Sequence, residues 1–319
     1  MLKVKPFRAL RPSPELADKV SSLPYDVMNT KEAAQMACGN EVSFLHVIRS
    51  EIDLPESTDP HAPEVYAKAA ENLESFINRG VLIKDQKPYY YIYRQIMNGR
   101  VQTGICALVS IDDYQNGLIK RHEFTLPEKE VDRIHNFLAC KAHTEPVFLI
   151  NKKDEVIKKV IQEVTASNEP VYSFTSDDGI AHALWLVETQ QDSDALQVAF
   201  QQMDALYIAD GHHRTASSCR VGEKMRAEQA AYDPEAEFNY IMAVIFSEDE
   251  LHIMDYNRLL NDLGDYTEDT FLNALQTDFN VLPILNNTDI KANAKHHFSM
   301  YLAGKWYQII AKDGTFDAD

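Results

Sequence analysis

Apolar residues recur along this chain with two different periods, and the switches between them outline its elements. In "APEVYAKAAENLESFINRG" the apolar positions Val65, Ala69, Leu73, Phe76 and Ile77 fall on one helical face, with Pro63 near its start and Gly80 just past its end. "LPEKEVDRIHNFLACKAH" has the same period and predicts a helix that turns Val131, Ile134, Leu138 and Ala142 inward. Elsewhere the period is two. "KPYYYIYRQIMNGRVQTGICALVSID" holds two β-rich runs about Asn98-Gly99, a strong hairpin signal, and Val101, Thr103, Ile105, Ala107 and Val109 share a face of the second run. "FSMYLAGKWYQII" predicts another hairpin, turning at Ala303-Gly304.

Between these hairpins strands and helices alternate. "PVFLI", "ALWLV", "ALYIA" and "NYIMAVIF" predict strands, and the segments 153–166, 192–202, 212–231 and 268–278 predict helices. Near the start, Asn29 or Thr30 is placed to cap a helix, "VSFLHVIRSEID" predicts a strand, and the polar, proline-bearing stretch 53–63 predicts a surface loop. "LHIMDYNRLL" is a further short apolar run. The pattern predicts an α/β protein of mixed α+β character with mixed sheets, read in three regions: an N-terminal α+β region over 1–110, a middle region over 111–250 in which strand and helix alternate, and a C-terminal α+β region over 251–319. No repeat or low-complexity tract interrupts it.

Composition narrows the class of partner. Lys and Arg total 31 against 49 Asp and Glu, a formal charge of -18 that repels polyanions, so nucleic acid and anionic membrane surfaces are not expected partners. No run approaches the roughly 18 apolar residues of a membrane span and the first residues hold no signal-peptide core, which predicts a cytoplasmic protein. Cys38, Cys106, Cys140 and Cys219 are dispersed without a C-x-x-C pair, which predicts buried, reduced thiols rather than a disulfide framework or a structural zinc site.

Chemistry concentrates in "YIADGHHRTASS", residues 207–218, where a strand runs through Asp210-Gly211 into a helix. Gly211 permits a tight turn with positive φ, and the first N–H groups of the helix are free to meet an anion. His212, His213 and Arg214 add donors, Arg214 with a bidentate fork, and Asp210 is placed to hold a divalent cation that bridges phosphate oxygens. The competing reading is a helix capped by Asp210 with a solvated first turn, but three potential cations at a helix N-terminus oppose the macrodipole unless a ligand compensates them. A second cluster, Lys120, Arg121, His122, Glu123 and Thr125, closes another apolar run, followed by Lys129 and Arg133 one turn apart, which a salt-bridged surface would explain equally well. Leu126 interrupts any H-E-x-x-H zinc motif, and no Walker, Rossmann, nucleophile-elbow or kinase-loop pattern is present.

Read together, "KPFRALRP", "LPYDVM", "SFLHVIR", "RHEFT" and "ADGHHR" resemble, in order, the blocks of the bacterial and archaeal family known as domain of unknown function 1015. Members of that family continue with a further C-terminal segment, whereas this chain closes with "KDGTFDAD". The "DGHHR" block is also similar to the phosphate-binding motif of the ParB and sulfiredoxin-like superfamily, which includes nucleotide-dependent partition proteins, sulfiredoxins and free serine kinases. That resemblance implies that 111–250 is a ParB/sulfiredoxin-like nucleotide-binding region, with phosphate held by Gly211, His212, His213 and Arg214 and Arg121 beside them, and carries the serine kinases' base onto Glu123, with His122 as its catalytic neighbour. It implies a phosphotransferase, most specifically a free L-serine kinase using Mg2+ with ATP, ADP or pyrophosphate as donor. The alternative it leaves open is a nucleotide-binding or slowly hydrolysing switch that lacks small-molecule kinase activity. Sulfiredoxin-like chemistry fits less well, since that motif puts a cysteine beside the histidine where this chain has His212.

Overall fold

A computed structural model describes the chain except residues 126, 286–289, 293 and 317–319 and the side chains of 127–129. It is a mixed α/β protein. The strands are β1 (Val4–Lys5), β2 (Leu10–Pro12), β3 (Leu82–Lys84), β4 (Tyr91–Met97), β5 (Arg100–Ser110), β6 (Ile119–Lys120), β7 (Val147–Asn151), β8 (Tyr172–Thr175), β9 (Ala181–Leu186), β10 (Leu206–Asp210), β11 (Tyr240–Ser247), β12 (Phe279–Ile284), β13 (His297–Leu302) and β14 (Lys305–Ala311). The helices are α1 (Ala17–Val20), α2 (Thr30–Ala37), α3 (Leu45–Ile48), α4 (Pro63–Asn78), α5 (Ile111–Gln115), α6 (Pro127–Cys140), α7 (Glu155–Ser167), α8 (Gln190–Gln201), α9 (His212–Ala227) and α10 (Glu268–Leu275).

Two compact units divide the chain, Met1–His252 and Ile253–Asp319. The first is built on a nine-stranded sheet in the order β6-β10-β7-β11-β5-β4-β9-β8, with β1 also paired to β5. Residue 110 closes β5, which pairs with β4 and β1 on its N-terminal side of the sequence and with β11 from the 111–250 stretch. Only β10 with β6 and β11 with β7 run parallel; the other pairs are antiparallel. The main core takes alternate residues of the central strands, such as Ile105, Ala107 and Val109 of β5 and Ile241, Ala243 and Ile245 of β11, together with Ile157, Val160, Leu196 and Phe200 from α7 and α8. Two smaller cores lie about α1 to α4, one of them including Leu82 of β3 and Cys140 of α6. In the second unit β12, β14 and β13 form an antiparallel three-stranded sheet, with α10 preceding it.

Both expected hairpin turns form with positive φ at each central residue, 52° and 79° at Asn98-Gly99 and 48° and 80° at Ala303-Gly304, as a right-handed strand twist requires. Asn29 caps α2 in a capping box with Glu32. Some expectations change. "SFLHVIRSEID" is helical, α3 and then a 3₁₀ turn over Ser50–Asp53, because Val47 and Ile48 are both buried, which an alternating strand does not allow; packing overrides their β-propensity. The apolar run "LHIMDYNRLL", to which the pattern assigns no element, has no regular secondary structure. On α6 the inward positions are shifted, so that Val131 is 49% exposed while Glu130, Arg133, Asn136, Phe137 and Cys140 are buried. Ile77 of α4 and Val101 of β5 also face solvent. Among the described residues no helix is long and apolar enough to cross a membrane.

Candidate functional site

The parallel pairing of β6 and β10 sets Ile119 opposite Leu206 and Lys120 opposite Tyr207, so both strands end at the same edge and deliver residues 121–125 and 210–214 side by side. Strand β7, antiparallel to β10, brings Pro146 and Val147 to that edge. Gly211 turns the chain from β10 into α9 with φ 90° and ψ 29°, a left-handed conformation that costs an L side chain about 1–2 kcal/mol. A Cβ at this position would stand 3.2 Å from both Arg214 Nε and Val147 Cγ1. No side chain caps α9, and the helical hydrogen bonds begin with Thr215 N donating to Gly211 O at 2.8 Å. The N–H groups of the first turn are therefore without helical acceptors.

His212, the first residue of the helix, is buried, and its Nδ1 lies 3.5 Å from Glu123 Oε2. Its ring meets that of His122 edge to face, with centroids 4.5 Å apart. Its Nε2 is buried with no hydrogen-bond partner among the described residues. Burial lowers the His212 pKa, the neighbouring His122 and His213 add to this, and Glu123 and Asp210 oppose it. The ring is accordingly neutral near pH 7. Arg214 is buried too, and both arms are engaged: Nη1 donates to Pro146 O and Nη2 to Asp210 Oδ2, each at 2.6 Å. The turn therefore does not present three free cations: burial holds His212 neutral and Asp210 offsets Arg214. His213 is half-buried, and Arg121 is exposed, its guanidinium 5.9 Å from the centre of the Phe124 ring.

Asp210, expected as a magnesium ligand, spends one oxygen on Arg214, and its side chain is 67% exposed. Among the described residues no three His, Cys, Asp or Glu side chains gather in a metal-holding group. Magnesium bound largely through phosphate oxygens needs only one or two protein carboxylates, and Asp210 and Glu123 are two carboxylates at this edge.

Sequence patterning does not expose the polar layer beneath the site. Glu130 accepts a hydrogen bond from Thr125 Oγ1, its backbone carbonyl accepts from Ser217 Oγ at 3.0 Å, and Arg220 Nε stands 2.7 Å from its Oε2, close enough for an ion pair but outside hydrogen-bond alignment. Arg133 pairs with Asp132 at 2.6 Å and lies over the Tyr25 ring at 3.9 Å. Expected on a salt-bridged surface, Arg133 is instead a buried ion-pair residue; Lys129's side chain is outside the described residues. Glu145 Oε1 accepts from Tyr25 N at 3.0 Å, while Arg49 Nη1 donates to Tyr25 O at 3.1 Å. Burial raises the Glu145 pKa against the pull of Arg214 and Arg133. The only sequence signal for this layer is Glu130, Arg133 and Phe137 recurring at helical spacing, which an apolar scan passes over.

The family model described as protein of unknown function (DUF1015) matches residues 4–318, nearly the whole chain. The chain belongs to the DUF1015 family. No curated protein and no solved structure matches it. Four blocks that carry the DUF1015 resemblance converge here: "RHEFT" and "ADGHHR" meet through Glu123 and His212, while "LPYDVM" and "SFLHVIR" are joined by Arg49 and Tyr25.

Proposed function

We propose that this DUF1015 protein is a small-molecule phosphotransferase, a nucleotide- and Mg2+-dependent kinase whose acceptor is the hydroxyl of free L-serine. The observation that carries the reading is the uncapped N-terminus of α9: a left-handed Gly211, open first-turn N–H groups and the buried, unpartnered Nε2 of His212, with the Glu123 carboxylate 3.5 Å from the other nitrogen of that ring. Backbone N–H groups aimed along a helix axis favour phosphate oxygens, and phosphoryl transfer needs mainly positioning and charge stabilisation from its enzyme. Glu123 is the base on the acceptor hydroxyl, and His212 and His122 orient it. Arg214 acts from behind by fixing the turn, and His213 and Arg121 stand at the edge to meet the remaining phosphate charge. Mg2+, held between phosphate oxygens and Asp210 or Glu123, would offset charge on the transferring group. The serine acceptor rests on the resemblance of "DGHHR" to the motif of the serine kinases.

The test is incubation with Mg2+, each of ATP, ADP and pyrophosphate, and a pool of amino acids and sugars, followed by mass analysis for a gain of one phosphoryl group. Serine should carry the gain. Glu123→Gln should keep donor binding and lower turnover about 100-fold or more. A second reading, nucleotide binding without transfer, is favoured by the engagement of both Arg214 arms; it is the outcome if the donor binds and no acceptor gains mass.

A further inference from the structure

Resting on the phosphate-site reading, we propose that Phe124 is a stacking platform for a nucleobase, so that the ligand of this site is a nucleoside phosphate rather than pyrophosphate. Phe124 is 87% exposed, among the most exposed large apolar side chains of the first unit. Its neighbours on both sides approach α9: Glu123 Oε2 lies 3.5 Å from His212 Nδ1, and Thr125 Oγ1 donates to Glu130, which is joined to α9 by Ser217 and Arg220. The phenyl group between them stands in water at a hydrophobic cost that a ligand can relieve. The Arg121 guanidinium, 5.9 Å from the ring centre, lies at the limit of cation–π distance and adds a second flat surface.

Position supplies the rest. Phe124 directly follows Glu123, whose carboxylate stands 3.5 Å from His212, so the aromatic residue belongs to the loop that reaches the helix N-terminus that would hold the phosphates. A ligand that uses both has an anionic end and a flat π-face, which is the chemistry of a nucleotide. Stacking of this kind tolerates every base, so adenine and guanine nucleotides should bind alike. Pyrophosphate has no group for the ring.

The experiment is titration calorimetry of ATP, GTP and pyrophosphate, each with Mg2+, into the wild-type protein, Phe124→Ala and Phe124→Trp. Phe124 is exposed, so neither change removes core packing. Phe124→Ala should weaken ATP and GTP about tenfold and leave pyrophosphate unchanged, while Phe124→Trp should restore nucleotide affinity and show fluorescence quenching by ATP but not by pyrophosphate. Equal weakening of ATP and pyrophosphate, or none, overturns the platform. Wild-type binding of pyrophosphate without ATP also overturns it and leaves the phosphate cradle standing; binding of neither removes both.

Discussion

Arg214→Ala separates a guanidinium that holds the turn together from one that waits for a ligand. The side chain is 8% exposed, and its Nη1 bond to Pro146 O ties α9 to the start of β7. A hydrogen bond from a charged donor contributes about 1.5–3 kcal/mol, and removing it leaves the Pro146 carbonyl without that donor at a cost inside the same range. The Asp210 arm adds little, because that carboxylate is 67% exposed and water replaces the lost partner, at about 0–1 kcal/mol. The stem of Arg214 also leaves a void against Gly211 and Val147. The expected loss is about 2–4 kcal/mol in the absence of any ligand, or roughly 5–15 °C in the melting temperature for a unit of this size.

Urea unfolding followed by tryptophan fluorescence measures it. Trp185 is buried in the first unit, and a Trp306→Phe background removes the tryptophan of the second, so the signal belongs to the unit that carries the site. Asp210→Asn is the control, expected to cost less than about 1 kcal/mol. If Arg214→Ala stays within about 1 kcal/mol of the parent, or if Asp210→Asn costs as much, Arg214 is not the structural tie described here.

Two further outcomes follow from the same turn. Gly211→Ala should cost at least about 1–2 kcal/mol, from positive φ and from a Cβ 3.2 Å from Arg214 Nε and Val147 Cγ1, and calorimetric melting checks it; an unchanged melting temperature would mean that the turn relaxes freely. His212 has a folded pKa below its ordinary 6.5, so the unfolded chain takes up the proton first as pH falls: stability should fall as pH drops through about 6.5, and the loss should be complete below the folded value. His212→Gln should make the stability–pH slope between pH 7.5 and 5.5 shallower, measured by urea midpoints at each pH; an identical slope would show that His143 and His182, whose pKa values are also lowered by burial, carry it instead.

The strand, turn and helix around Gly211 are legible in the sequence because three local rules agree there: an apolar β run, a glycine suited to positive φ, and a following segment without alternation. The two hairpins are legible for the same reason. What local rules miss is set by packing. Val47 and Ile48 are β-branched yet helical, since burying neighbours in sequence suits a helix against two small cores better than a strand. An apolar period puts Val131 on the inward face of α6, whereas Glu130 and Arg133 take that side because Thr125, Arg220, Asp132 and Glu145 supply their partners. Those partners lie at sequence separations that a pattern does not encode. Arg214 shows the limit for chemistry: its type was legible, but its commitment to Pro146 depends on β7 lying beside β10.

The polar layer also explains how a turn of this kind can be held in place. Helix α9 buries His212, Arg214, Thr215, Ser217 and Ser218; Thr215 and Ser218 donate to Gly211 O and Arg214 O within the helix itself, while Arg214 donates to Pro146 O and Ser217 to Glu130 O on neighbouring segments. Apolar contacts tolerate sliding of a helix along its axis, whereas hydrogen bonds lose strength steeply with distance and angle. Seated through the Arg214 and Ser217 bonds in its first two turns, the helix keeps its N-terminus at a fixed point relative to β7 and to α6, to which the 121–125 loop is tied through Thr125 on Glu130. Replacing Ser217 with Ala should therefore affect the site more than it affects bulk stability: with small alanine filling nearly the same space, the Glu130 carbonyl loses one donor, at about 0.5–1.5 kcal/mol, while the registration of Glu123 on His212 loosens. Histidine NMR resolves the two effects. A shifted His212 titration with near-parental stability supports positioning by hydrogen bonds, and an unshifted titration with the same stability loss assigns Ser217 to packing alone.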